Sequence, residues 1–115
     1  RPVEAVTATK TVVAAEANEV YANDGASGAA SLRAITLPSA VAGYVFTMVN
    51  ETGTGANGIR VVASTGDTLQ IGTVVTIAAG YAESTRLGDS VTLVAINATE
   101  WMATAFTGSW TMQVS

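Results

Sequence analysis

The chain is predicted to be an all-β domain: a compact antiparallel β-sandwich or barrel-like, jelly-roll-like unit with an extended N-terminal arm. Three observations predict it. Apolar runs are short and recur between Gly, Asn, Asp and Pro punctuation at about 8–12-residue intervals, the spacing of sandwiches and barrels. Ala, Val, Thr, Gly and Ser dominate, and the β-branched residues among them fit a pleated, half-buried surface. A length of 115 residues holds one core and no second.

Taken in order, residues 1–16 (RPVEAVTATKTVVAAE) are rich in Thr and Val and contain no glycine, which favours an extended arm or strand. A competing helical spacing exists at Val13, Ala17, Val20 and Tyr21. Asn23-Asp24-Gly25 and Ser27-Gly28 are turn chemistry and set the boundary between an arm at 1–24 and a main domain at 25–115. Strands are then expected at 32–37, ended by Pro38, and at 44–49, 59–63, 68–71, 74–78, 90–97, 101–106 and 110–114. In 90–97 both alternating sets are apolar: Val91, Leu93 and Ala95 on one face, and Val94 and Ile96 with Thr92 on the other. Such a strand is expected to be covered on both sides, the second cover being another subunit. Val94 and Ile96, with Val3, Val6, Val12 and Val13 of the arm, are therefore the candidate assembly-interface residues. Gly66-Asp67-Thr68-Leu69 is echoed by Gly88-Asp89-Ser90-Val91, each a turn feeding a strand.

Composition narrows the function classes. There is no His and no Cys, and only five basic and nine acidic side chains. Nucleophilic and metal chemistry draw mostly on the missing types or on clustered carboxylates. Ser-x-x-Lys is excluded because Lys10 is the one lysine. A net charge of −4 with scattered basic residues offers no phosphate footprint, so neither nucleic acid nor an anionic membrane is an expected partner. No apolar run reaches the roughly 20 residues of a membrane helix. Hydrophobic residues reach 49%, and with so little charge an oligomer interface is the simplest account of the surface.

Several local patterns admit a chemical reading beside a structural one. Gly53-Thr54-Gly55-Ala56-Asn57-Gly58 matches G-x-G-x-x-G, but a strand pattern follows where a dinucleotide site needs a helix, so a loop is favoured. Asn23, Asp24, Asp67, Asp89 and Glu100 are oxygen ligands in principle, yet they are isolated, and no cofactor or metal is expected. Trp101 and Trp110, helped by Tyr21, Tyr44 and Tyr81, offer stacking faces for sugars, although a chain with so few large residues is expected to spend them on its core. Asn50-Glu51-Thr52 and Asn97-Ala98-Thr99 fit the glycosylation pattern, which is frequent by chance.

The segment ITLPSAVAGYVFT at 35–47, GDTL at 66–69, GDSVTLV at 88–94 and the closing Glu100-Trp101 with Gly108-Ser109-Trp110 follow one another in a recognisable order. That order resembles small β domains of tailed-bacteriophage virions, both capsid decoration (cement) proteins and head- or tail-fibre modules. The resemblance spans about residues 32–111 and leaves the N-terminal stretch unmatched. It implies a non-enzymatic protein of the outer capsid surface, commonly a homotrimer, whose partner is the major capsid protein. The alternatives are a fibre module that reads a receptor or glycan and a bacterial surface or pilus-type structural domain.

Overall fold

The computed structural model describes residues 3–6, 10–12, 19–23, 32–50, 58–84 and 88–115. Twelve strands, and no helix among the described residues, form two facing sheets: β1 (Val3–Val6), β2 (Lys10–Thr11), β3 (Val20–Asn23), β4 (Leu32–Thr36), β5 (Val45–Val49), β6 (Gly58–Val62), β7 (Thr68–Ile71), β8 (Val74–Val75), β9 (Tyr81–Ser84), β10 (Ser90–Ala95), β11 (Glu100–Thr107) and β12 (Thr111–Met112). The large sheet has the order β1-β3-β5-β10-β11-β7-β8, and the small sheet β12-β9-β6-β4-β2. The all-β, sandwich-like expectation is met.

The sheets are mixed, which corrects the expected antiparallel pairing. From β1 to β6 the chain alternates between the sheets, one strand in each. Every return to a sheet follows a full circuit, so the strand arrives in the direction of the one before it. Hence β1 with β3, β3 with β5, β2 with β4 and β4 with β6 are parallel. Antiparallel neighbours appear only later, through the β7–β8 and β10–β11 hairpins, where β9 and β10 pair back onto β6 and β5, and where β12 pairs with β9.

The separate arm is a second correction. Within 1–24, β1 and β3 are strands of the large sheet, and β2 is a strand of the small one. Val12 follows β2, its N–H donates to Thr36 O at 2.8 Å, and its side chain is 1% exposed in the core. The described parts of this Thr/Val-rich stretch are extended, and the edges they pair with are those of their own domain. The turn placed at 24–28 lies outside the described residues.

Between the sheets lie Tyr21, Ile35, Leu37, Phe46, Met48, Ile59, Val61, Leu69, Val91, Leu93 and Trp101, all buried. Tyr21, Phe46 and Trp101 form a chain of tilted rings with centroids 6.2 and 5.7 Å apart. They supply the largest apolar volumes in a core otherwise made of Val, Ile, Leu, Ala and Met48.

The two Gly-Asp turns do equivalent work. Each carries the chain from the small sheet to the large one, before β7 and before β10. Both aspartates are buried. Asp67 Oδ2 accepts the N–H of Ala40 at 2.9 Å, tying its crossing to the one before β5. Asp89 Oδ2 accepts the hydroxyl of Ser84 at 2.7 Å, while Asn50 donates its amide to Ser84 O at 3.1 Å. The backbones of Asn50, Gly88 and Asp89 are stitched together as well. Buried polar groups partnered in this way avoid the desolvation cost of leaving them bare. Gly108 shows how tightly the knot is packed: its φ is +83°, and an added Cβ would collide with the Asp89 carboxylate.

Candidate assembly surface

The outer face of the large sheet is where the alternation of the sequence leads. In β5, β7 and β10 every second side chain is buried and the intervening one is half-buried, facing away from the core. Register aligns the outward residues into rows. One row runs Val45, Val94, Met102, Gln70, Val75. The next runs Val20, Thr47, Thr92, Ala105, where a bulge in β11 brings Ala105 opposite Thr92. A third runs Val49, Ser90, Thr107. At the other margin, Ile96 N–H donates to Glu100 O at 3.0 Å, and Glu100 stands opposite Thr68.

Among these described positions Glu100 is the one ionisable side chain. The hydroxyls of the face largely serve each other. Thr47 and Thr92 lie 3.1 Å apart across β5 and β10, and Ser90 and Thr107 lie 3.1 Å apart across β10 and β11. Paired hydroxyls lose less on leaving water than free ones, so this face is cheap to cover.

The outer face of the small sheet is different in kind. Arg60 on β6 and Glu83 on β9 are cross-strand partners joined by a 2.7 Å ion pair, and the guanidinium of Arg60 lies 4.0 Å from the centre of the Tyr81 ring. One side of the sandwich thus carries a partly buried ion pair, and the other is nearly without charge among the described positions.

The six candidate interface residues separate accordingly. Val94 and Ile96 fall on the uncharged face, with Ile96 47% exposed. Val3 and Val6 lie in β1 at the edge of that same sheet, and the register sets Val3 opposite Val20. Val12 is withdrawn into the core and cannot meet a second subunit. Val13 lies outside the described residues.

The patterns with a chemical reading resolve as follows. Of 53–58, only Gly58 is described, and it opens strand β6; no helix starts there. No group of three or more metal-ligating side chains occurs among the described residues. Asp67 and Asp89 are turn anchors, and Asn50 is buried with its amide bonded to Ser84. Asn97 is exposed, and its Oδ1 accepts the Thr99 N–H at 2.9 Å. Trp101 is in the core; Trp110 packs partly buried against it and donates Nε1–H to Thr107 O at 3.1 Å. Of seven aromatic side chains only Phe106 is exposed. Row composition across the large sheet, which needs the pairing order, was the signal that sequence reading missed.

Compared with known proteins, the chain matches no family model, and no curated protein resembles it in sequence.

Proposed function

We propose that the protein is a non-enzymatic structural component of a tailed-bacteriophage virion that decorates the capsid and bridges neighbouring subunits of the major capsid protein. The observation that carries this reading is the asymmetry of the sandwich. A decorating module needs one face that sits on its support and another that faces solvent. The large-sheet face, with Glu100 the one ionisable side chain among the positions named, and the Arg60–Glu83 face of the small sheet supply that pair. The order of motifs at 35–47, 66–69, 88–94 and 100–110 supports the phage assignment, and the resemblance implies a homotrimer. A sequence without His or Cys, and with its described carboxylates dispersed, supports a role that needs no catalysis.

A fibre module that reads glycans is less well supported. Sugar rings are bound by exposed aromatic faces, and here Trp101, Tyr21 and Phe46 are in the core, Tyr44, Tyr81 and Trp110 are half-buried, and Phe106 alone is exposed. Gold-labelled antibody on intact virions separates the two readings. Label over the capsid is expected. Label confined to fibre tips would transfer the protein to the fibre class, and unlabelled virions that also lack the chain by mass spectrometry would remove it from the particle.

A further inference from the structure

Every polar side chain in the three rows of the large-sheet face already has a partner inside the molecule. The Thr47 and Thr92 hydroxyls meet at 3.1 Å, and so do those of Ser90 and Thr107. Thr107 Oγ1 also donates to Gly88 O at 3.3 Å. Gln70 donates its amide Nε2–H to Gly72 O at 3.0 Å. The other members of the rows are Val, Ala and Met. Such a face asks for no hydrogen bonds from whatever covers it.

It offers no counter-charge either. The seven strands of the large sheet contain neither Lys nor Arg; the basic residues borne on strands, Lys10, Arg33 and Arg60, all belong to the small sheet. The acids borne on large-sheet strands are Glu4, in the outermost strand β1, and Glu100, at the margin. The Glu100 carboxylate takes the Asn97 amide at 2.6 Å and stays exposed. Charge of either sign is thus absent from the rows themselves.

Taking this face as the one that meets the capsid, we infer that its partner there is an uncharged, largely apolar surface of the major capsid protein, held by apolar burial and not by ion pairs. The charge inventory selects that partner. A capsid Lys or Arg set over the rows would lose its water and find no carboxylate, and a capsid Asp or Glu would find no cation. A charge buried without a counter-charge is strongly unfavourable. A polar footprint fares little better, because the hydroxyls and the amide here are already engaged and would leave its donors and acceptors unmatched. Val, Ala and Met side chains gain from apolar contact, and Met adapts to its shape. Glu100 keeps its water when the centre is covered, as the polar rim of an interface does.

Co-sedimentation with capsids of the proposed phage that lack this chain tests the inference in two ways, with thermal unfolding as the check on fold. The first is salt. Wild type is expected to bind with an affinity that does not fall between about 50 and 500 mM NaCl, since screening weakens ion pairs and leaves apolar burial intact. The second is the sign of an added charge. Val94→Glu and Val94→Lys are both expected to bind about tenfold or more weakly with melting unchanged, because an uncharged footprint rejects both. A wild-type affinity that drops about tenfold or more over that salt range would overturn the inference and leave the capsid reading standing. So would a Val94→Lys variant that binds like wild type while Val94→Glu does not. A wild type that never pellets, or a Val94→Glu variant that binds as well as wild type, would overturn both.

Discussion

A chain lacking residues 2–20 is expected to lose its cooperative unfolding transition. The deletion removes β1, β2 and the first residue of β3, and with them an outer strand of each sheet. It also removes Val12, whose burial contributes about 1.5–3 kcal/mol. The lost ladder bonds add roughly 1 kcal/mol each. Tyr21 stays in the chain but loses the strand beside it, and its ring is one of the three large groups at the centre of the core. Against a total stability of about 5–15 kcal/mol, these losses together are decisive. Circular dichroism through a thermal ramp reads the result. A truncated protein that melts like the full chain would show that residues 2–20 are an appendage after all.

Trp101→Ala is expected to destabilise the domain by about 3–5 kcal/mol, the cost of emptying a large buried site. Trp101 is 0% exposed on β11, beside Phe46, and is the largest side chain in the core. Its neighbours sit on strands of both sheets, so the cavity has little room to collapse. Trp101→Phe separates volume from polarity. The indole Nε1–H is buried with no hydrogen-bond partner, and phenylalanine removes that unpaired donor while keeping a ring. The Phe variant is therefore expected to lose much less than the Ala variant in urea unfolding. Equal losses would mean that ring volume is not what Trp101 supplies.

The strands of this fold were legible where short apolar runs stand between turn residues, as in β5, β7 and β10, whose side chains alternate between buried and half-buried. β9 was not, because its inward residues are the small Ala82 and Ser84 and its outward ones are Tyr81 and Glu83, so the larger side chains point away from the core. Pairing was less legible than the strands. A Gly-Asp turn reads the same whether it closes a hairpin or carries the chain to the opposite sheet, and here it carries the chain across. The first strands were set apart as an arm for another reason: the turn chemistry of residues 23–28 reads equally as a domain boundary. The assembly surface was half visible: the two-faced pattern of 90–97 pointed to Val94 and Ile96. Its partners Val45, Met102, Gln70 and Val75 join it only through strand order, which residue spacing does not encode.

Capsid binding through the large sheet is the central claim, and co-sedimentation tests it most directly. Purified protein is mixed with capsids, lacking this chain, of the tailed phage proposed to encode it, and the pelleted fraction is measured against concentration. Wild type is expected to pellet saturably, and Val94→Glu, which sets a carboxylate in the middle of the uncharged face, is expected to stay in the supernatant with its melting unchanged. A folded wild-type protein that never pellets, or a Val94→Glu variant that binds as well as wild type, would contradict the account.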